Sequence, residues 1–453
     1  MSTHGEAAFK HTPEIETALD RGVAHHQGGR LSEAQDAYRA VLADSPNHPM
    51  ALHYLGLLAH QTGHGEQALE LLQKAVAVMP DYAEAQWNLA TILAEFERWA
   101  EVETCCRTAL KFEPDAPPLH QTLADALSAT GRAEDAIAHY QNAIRHMPSP
   151  GPNFAMCHNN LGSAYYKLRR LDEARACYQR ALVLDPDCLL AHQNMASVLR
   201  DQGHVQEAID ELRKVLTLAP DHVAARHNLD ALEGRTTDTA PRAYVEELFD
   251  PFAENFDHHL QDKLHYQMPA LMRDKLGELG LAERPYATVV DLGCGTGLTG
   301  MAFRDIATTL IGIDVSKNMI REAENKGVYD HLIVDDLAHA LTHAPTHDLP
   351  PMDGAVDLFI SADVFIYVGN LRETFKAASK AAAPGALFVF STEHLTGADG
   401  FVLQDTSRYA HAKSYIDALL DEFGFEAVHF EEAPLRKEKT GWIPGALYIV
   451  KRK

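Results

Sequence analysis

Six prolines recur along the first half of the chain at a nearly constant spacing, and this repeat constrains the fold more than any other feature. They are Pro46, Pro80, Pro114, Pro148, Pro186 and Pro220. The interval is 34 residues except between Pro148 and Pro186, where it is 38 residues. A repeat of this length predicts a stack of similar units, each of which buries its apolar face against its neighbours.

Residue size repeats with the same period. If each proline is counted as position 32, position 20 is small in all units but one: Ala34, Ala68, Ala136, Ala174 and Ala208, with Val102 as the exception. Position 27 is also small, whereas position 24 is larger: Tyr38, Leu72, Cys106, Tyr140, Tyr178 and Leu212. Small side chains let two antiparallel helices approach, and the larger one fills the space towards the next unit. The pattern therefore predicts one helical pair per unit.

This pattern resembles the tetratricopeptide repeat over about residues 15–222, where six units agree in period and residue class. A seventh helix, 223–234, is predicted as a capping half-repeat, and 234–241 as its end and a linker. The resemblance implies a concave groove that binds a protein or peptide. Position 6 of the first helix usually faces that groove and is asparagine in four units: Asn88, Asn160, Asn194 and Asn228. These asparagines either bind an extended peptide backbone or are ordinary polar residues on a solvated face.

The second half has a different pattern. From Ala287 onwards, short apolar runs alternate with helical stretches, which predicts an α/β doubly wound, Rossmann-like sheet. The sequence thus predicts a multidomain chain. An N-terminal tail, 1–14, precedes an all-α repeat superhelix, 15–235, and the α/β domain, 236–453, follows.

A glycine loop, VVDLGCGTGLTG at 289–300, follows the first predicted strand and precedes a helix. Sheets of this class bind nucleotides at this place, but position alone does not distinguish a nicotinamide dinucleotide from S-adenosylmethionine. Asp291, expected at the mouth of the loop, would repel a pyrophosphate and attract an ammonium and a sulfonium. Asp314 closes the next strand, where an acid can accept both ribose hydroxyls. The charge therefore favours S-adenosylmethionine.

The same residues resemble the class I S-adenosylmethionine-dependent methyltransferases over about 286–395. The segment DLGCGTG matches their first motif. Asp314 matches the acid that binds the ribose, and Asp336 with Leu337 matches the acid on the adenine side. Residues 356–369 match the motif of the fourth strand. The resemblance implies that these residues bind the cofactor: Asp291, Gly293, Gly295, Gly297, Asp314, Asp336 and Leu337.

The flanks, 244–272 and 407–425, resemble the bacterial methyltransferases that carry tetratricopeptide repeats. That resemblance implies a helical lid, 241–280, over cofactor and acceptor. Candidate lid residues are Tyr244, Phe252, Phe256 and Tyr266. Phe252 and Phe256 lie four residues apart, and we favour the alternative that they form the core stripe of an amphipathic helix.

An acceptor that must lose a proton needs a base. His411 and His394 are the leading candidates, each against the alternative that it is one of 26 histidines, most of them at the surface. Asp363, Tyr367 and Glu393 are further candidates, and Arg408 could instead clamp an acceptor carboxylate or phosphate. We also weighed a metal site at His339, His343 and His347. Because Pro345 interrupts the cluster and no acid or cysteine has a fixed spacing to it, we predict no metal.

Composition and net charge limit the classes of partner that the chain is expected to bind. The net charge is −24 and both halves are acidic, so neither nucleic acid nor an anionic membrane is expected. The first residues lack a secretory signal, and no stretch reaches the roughly 18 apolar residues of a membrane span. Six irregularly spaced cysteines indicate reduced thiols. The sequence predicts a cytoplasmic methyltransferase with an unidentified acceptor. The alternatives are a repeat scaffold with an inactive methyltransferase fold and a nicotinamide oxidoreductase.

Overall fold

The computed structural model describes residues 12–147, 151–250, 253, 256–258, 260, 264–283, 285–343, 352–438 and 441–453. The chain forms two compact units, Met1–Lys214 and Val215–Lys453. The sequence places the boundary one helix later, between residues 235 and 236. Among the described residues, no helix has both the length and the hydropathy needed to cross a bilayer.

Paired helices build the first unit. They are α1 (Pro13–Gln27), α2 (Leu31–Asp44), α3 (Pro49–Gln61), α4 (Gly65–Val78), α5 (Ala83–Glu95), α6 (Trp99–Ala109), α7 (Pro117–Ala129), α8 (Ala133–His146), α9 (Pro152–Lys167), α10 (Leu171–Leu184), α11 (Leu189–Asp201) and α12 (Val205–Leu218). The division between the units falls inside α12. The helices α3, α5, α7 and α11 each begin three residues after a repeat proline, as the period predicts.

Close approach of the two helices in a pair explains the repeated small residues. Every residue named above at positions 20 and 24 is at most 3% exposed, and so are the residues at position 27: Val41, Ala75, Ala109, Ala143, Ala181 and Val215. Position 8 shows how tight the contact is, because a Cβ added to Gly22 or Gly162 would lie 2.6 Å from the ring of Tyr38 or Tyr178. The predicted packing of the repeat is confirmed.

The second unit is a mixed α/β fold. Its helices are α13 (Val223–Leu232), α14 (Arg242–Phe249), α15 (Phe256–His258), α16 (Met268–Glu278), α17 (Leu298–Phe303), α18 (Lys317–Lys326), α19 (Leu337–Thr342), α20 (Arg372–Ala381) and α21 (Lys413–Phe423). Its strands are β1 (Tyr286–Leu292), β2 (Ala307–Asp314), β3 (His331–Val334), β4 (Val356–Ser361), β5 (Ala382–Leu395), β6 (Phe401–Leu403), β7 (Tyr409–Ala412), β8 (Phe425–Glu438) and β9 (Gly441–Arg452).

One sheet contains all of these strands. The order β3-β2-β1-β4-β5 is parallel throughout, and β9 joins β5 in the antiparallel sense and carries β8 on its other edge. A short hairpin, β6 and β7, attaches to the last residues of β5. The predicted doubly wound sheet is confirmed, with an antiparallel edge added.

Helices cover both faces of this sheet. On one face, α16 buries Met268 and Met272 against Val289 and its neighbours. On the other, α20 and α21 pack on the adjacent strand residues, including Val290. Because side chains alternate along a strand, neighbours such as Val289 and Val290 belong to opposite cores. The parallel strands are therefore apolar on both sides, as expected for a sheet with both faces buried.

Candidate functional site

The strand order reverses at β1. This strand pairs with β2 on one side and β4 on the other, so the chain runs outwards to β3 and then crosses back. Open parallel sheets bind ligands outside the carboxyl ends of their strands at such a reversal. The glycine loop leaves β1 at this point.

Three glycines shape the loop. Gly293, Gly295 and Gly297 have φ of +76°, +52° and +96°, in the left-handed region that side chains disfavour. A Cβ on Gly293 would lie 2.4 Å from Cγ2 of Val364. The turn after β4 therefore packs so closely on the loop that a side chain at position 293 would not fit. The amides of Gly293 and Cys294 both donate to the carbonyl of Ile313, at 2.8 and 2.9 Å. The loop is thus bound to the end of β2.

Asp314 fixes the same loop from β2. One carboxylate oxygen accepts from the amide of Gly295 and the other from the amide of Ser316, each at 2.9 Å. Burial raises the pKa of this carboxyl, and the backbone donors oppose the rise. Each oxygen has a second lone pair, so Asp314 retains the capacity to accept ribose hydroxyls. Its role as the ribose acid stays a prediction.

Asp291 lies beneath the loop and not at its mouth, which corrects the expected geometry. Its side chain is fully buried and accepts a hydrogen bond from the Tyr329 hydroxyl at 2.7 Å. Its other oxygen has no hydrogen-bond partner among the described residues. Burial raises the pKa of Asp291 to about 7, and the charge of Asp314 adds to the rise. The negative charge assigned to Asp291 is therefore only partly present at neutral pH.

Tyr329 was not among the residues predicted for the site. Besides donating to Asp291, its hydroxyl accepts from the amide of Gly300 at 3.2 Å. A Cβ on Gly300 would lie 2.3 Å from that hydroxyl. The fourth glycine of the motif therefore makes room for Tyr329.

The predicted adenine-side acid has a second task. Asp336 is the N-cap of α19, where one of its oxygens accepts from the amides of Ala338 and His339. Asp336 is exposed, whereas Leu337 is buried in the core on one face of the sheet. A role for this pair at an adenine stays a prediction, and helix capping already accounts for the acid.

A short cover lies on the glycine loop. Asp257 of α15 accepts hydrogen bonds from the Thr296 hydroxyl and from the ammonium of Lys326. The ring of Phe256 lies 4.0 Å from a Cβ placed on Gly295, and it packs edge-on against Phe249. These contacts place Phe256 beside the loop, and its role in a lid over a cofactor stays a prediction. Phe252 lies outside the described residues.

Charged side chains cluster at the carboxyl ends of β4 and β5. Arg436 of β8 is 2% exposed and donates to both oxygens of Asp363, at 2.6 and 2.8 Å, and to Glu393 at 2.6 Å. Asp363 has a left-handed φ of +60°. Burial raises the pKa of Glu393, and Arg436 followed by Arg408 opposes the rise. Burial also raises the pKa of Tyr266 well above its usual range, and Asp363 adds to it.

The three residues proposed for catalysis lie on β5 and beside or within β7. His411 is fully buried, and its Nε2 donates to the carbonyls of Val368 and Gly369 at 3.0 and 2.9 Å. Burial lowers the pKa of His411 to about 4. This geometry joins β7 to the segment after β4 and does not favour His411 as a base. His394 is half-buried and 3.7 Å from Glu432. Arg408 immediately precedes β7.

No group of three metal-binding side chains occurs in the described part of the chain. The rings of His339 and His343 stack at 4.2 Å, and His339 pairs with Asp335 at 2.5 Å. His347 lies outside the described residues.

Three of the four repeat asparagines join neighbouring repeats. The side-chain amides of Asn88, Asn160 and Asn194 contact His53, Asp125 and Asn159, each 35 residues earlier, at 2.8 to 3.1 Å. Asn228 differs, because its oxygen accepts from the Ser407 hydroxyl in the second unit. A role of these residues in peptide binding stays a prediction.

Comparison with protein families places a methyltransferase domain at residues 290–390 and tetratricopeptide repeats at 19–77, 59–127, 155–188 and 190–222. The chain carries a methyltransferase domain behind tetratricopeptide repeats. The methyltransferase match spans β1 to β5 and so includes the glycine loop and Asp314.

Each curated relative matches part of the chain. Protein FlbA of Caulobacter vibrioides is 28% identical over 160 residues, which are 35% of this chain and 26% of that protein. The malonyl-[acyl-carrier protein] O-methyltransferase of Pseudescherichia vulneris is 29% identical over 140 residues, 31% of this chain and 49% of that protein. The chain therefore spans less than half the length of each. The solved structure of YrrB, described as a tetratricopeptide protein with an unusual peptide-binding site, is 19% identical, with a TM-score of 0.38, over 43% of this chain and 97% of that one.

Long-range partners account for the site residues that the sequence did not indicate. Tyr329 reaches Asp291 across 38 residues, Asp257 reaches Thr296 across 39, and Arg436 reaches Asp363 across 73. The sequence indicated Asp363 and Glu393 of the last cluster as candidates but did not indicate Arg436.

Proposed function

We propose that the second unit binds S-adenosylmethionine at the glycine loop and transfers its methyl group to an acceptor held past the ends of β4 and β5. One observation carries this proposal. The loop of left-handed glycines is held by Asp314, whose oxygens keep free lone pairs, at the reversal of the strand order. The family match at 290–390 supports it.

Asp314 would accept the ribose hydroxyls, and Asp336 with Leu337 would meet the adenine edge. The bound cofactor supplies a methyl group already activated on a sulfonium. The pKa of Asp291 is about 7. A cation that approaches would lower this pKa and favour the ionised carboxylate. The cover at Phe256 and Asp257 would exclude water from the loop. Orientation of this kind can contribute roughly 7–11 kcal/mol to a reaction between two held groups.

Glu393 is the acceptor-side group best placed to take a proton where the acceptor must lose one. Arg436 holds one of its oxygens at 2.6 Å, which fixes the carboxylate. Burial raises the pKa of Glu393 towards the range of an effective base. His394 and Arg408 remain candidates for contact with the acceptor.

The repeat array would recruit a protein, either as the substrate or as an assembly on which the enzyme docks. Repeats of this class present extended binding surfaces. We propose that the protein works in the cytoplasm, which agrees with six cysteines that form no disulfide.

Calorimetric titration of the full chain tests the cofactor. S-adenosylmethionine and S-adenosylhomocysteine should bind, whereas NAD(H) should not. Binding of neither class would favour the scaffold alternative, and binding of NAD(H) alone would favour an oxidoreductase. Release of S-adenosylhomocysteine in the presence of a malonyl thioester then tests the acceptor suggested by the names of the relatives.

Asp314→Ala sharpens the test. Loss of the carboxylate removes the ribose acceptor and the bond that holds Gly295, so affinity for S-adenosylmethionine should fall by about tenfold or more, as for charged hydrogen bonds. Asp305→Ala is the matched control, because Asp305 is an exposed acid of the same unit that pairs with Arg273. Equal affinity in the two variants would contradict the assignment of Asp314.

A further inference from the structure

The turn between β6 and β7 contains a strained serine. The amide of Gln404 donates to the carbonyl of Arg408 at 2.8 Å, and the amide of Ser407 donates to the carbonyl of Gln404 at 2.9 Å. This is a three-residue hairpin loop whose last position is left-handed, a position that usually holds glycine. Ser407 occupies it with a φ of +63°. Something outside the turn must therefore favour serine there.

The outside contacts come from α13. The Ser407 hydroxyl donates to the side-chain oxygen of Asn228 at 2.7 Å, and the Ser407 carbonyl accepts from Nε2 of His227 at 3.1 Å. Ser407 is 1% exposed and His227 2% exposed, so both bonds are shielded from water. A glycine would relax the backbone but would lose the hydroxyl bond.

The segment after α13 makes further hydrogen bonds to the same hairpin and to the turn after β4. Thr236 accepts from the amide of Leu403 at 3.2 Å, and the hydroxyls of Thr237 and Tyr409 lie 2.6 Å apart. The amide of Ala240 donates to the carbonyl of Tyr367 at 2.9 Å. The segment predicted as a linker is therefore bonded along its length to β6, β7 and the turn after β4.

Arg408, which follows Ser407, lies near the residues proposed to face the acceptor. Ala410 is the register partner of Glu393, and Arg408 lies two residues earlier, on the same face by strand alternation. Burial raises the pKa of Tyr367 to about 12, and the charge of Arg408 opposes that rise. The guanidinium of Arg408 thus acts on both Tyr367 and Glu393.

We propose that Asn228 and His227 are positioning residues of the methyltransferase unit, which hold the turn at Ser407 and so set the place of Arg408 at the acceptor side. The proposal rests on the proposed function only in taking that side as the acceptor site. Asn228 occupies the position of a groove asparagine in the repeat pattern. In α13, the last helix of that pattern, Asn228 instead accepts a hydrogen bond from Ser407 of the methyltransferase unit.

Variants of the full chain test this assignment. Asn228→Leu removes the acceptor oxygen, and Asn228→Asp keeps one. Asn194→Leu is the matched control, since Asn194 has the same repeat position but contacts Asn159. Amide hydrogen exchange at 404–412 should become about three- to tenfold faster in Asn228→Leu, as for loss of one hydrogen bond. Asn228→Asp should restore protection, and Asn194→Leu should leave it unchanged.

A second measurement separates positioning from general loosening. Arg408 should react several-fold faster with phenylglyoxal in Asn228→Leu, while exposed Arg242 should react at the wild-type rate, as mass spectrometry would show. Ser407→Ala should give the same change with α13 intact. Unchanged exchange and reactivity, or faster exchange across the whole unit, would overturn the proposal. Calorimetry with S-adenosylmethionine on the same samples tests the proposed function separately, because it does not involve the turn.

Discussion

The carboxyl of Asp291 is buried, and burial disfavours its charged form. The carboxyl has one donor, Tyr329, and an oxygen without a partner among the described residues. Burial raises its pKa to about 7, whereas the same group in an unfolded chain ionises near 3.8. The folded unit therefore binds a proton here that the unfolded chain releases. A cation beside the loop would reverse this preference, since an opposite charge favours the ionised form.

Asp291→Asn should consequently stabilise the protein relative to wild type, and by more as the pH rises. The raised pKa contributes stability that is full below pH 4 and is lost as the pH rises through about 7. The whole effect is on the order of 4 kcal/mol at about 1.4 kcal/mol per unit. Urea unfolding of both proteins at pH 5 and pH 8 measures the part that falls above pH 5, about 3 kcal/mol for roughly two units. A difference that does not change with pH would show that Asp291 is ionised in the folded unit.

Single residues were predictable where the signal was local. The left-handed glycines lie within one short motif and Asp314 ends the next strand, and the sequence selected all of them. The burial of Asp291 was not predictable, because it depends on Tyr329, which arrives from the end of another helix. Arg436 was missed for the same reason, as its two carboxylate partners lie just after β4 and near the end of β5.

Two short elements outside the sheet reach the ends of β1 and β2. Asp257 of α15 binds Thr296 and Lys326, and Asp250, directly after α14, accepts from the Ser316 hydroxyl. These are hydrogen bonds to carboxylates, which contribute about 1.5–3 kcal/mol each and less where solvent screens them. The place of the cover could not be read from the sequence, where Phe256 also fits the core stripe of an amphipathic helix.

Asp257→Ala should weaken the closed cover without altering the glycine loop itself. We expect S-adenosylmethionine to dissociate about three- to tenfold faster, in line with the loss of one or two hydrogen bonds, while its association rate changes little. Surface plasmon resonance on the full chain would measure both rates. Asp274→Ala, which removes an exposed acid on α16, serves as the control. Slower association with unchanged dissociation would mean that Asp257 guides the ligand in and does not retain it.

At the scale of the molecule, α13 belongs to two patterns. Its spacing from Pro220 continues the repeat, which is why the sequence assigned it to the array. Its contacts with Tyr244, Ser407 and Tyr409 lie in the second unit. Periodicity predicted the helix and its first residue, because these depend on local residues, although the helix ends two residues earlier than predicted, at Leu232. Only the packed structure shows which unit buries it.

The placement of α13 leads to a test by truncation. A chain that starts at Pro220 keeps the bonds of Asn228 and His227 to Ser407, whereas one that starts at Thr236 loses them. Loss of two buried hydrogen bonds and the helix packing costs a few kcal/mol, so the shorter chain should unfold about 5 °C or more below the longer one. Thermal unfolding followed by circular dichroism measures the difference. The longer chain should bind S-adenosylmethionine as the full protein does, since the glycine loop lies elsewhere in the unit. Equal unfolding temperatures would mean that α13 adds nothing to the methyltransferase unit and that its bonds to Ser407 are incidental.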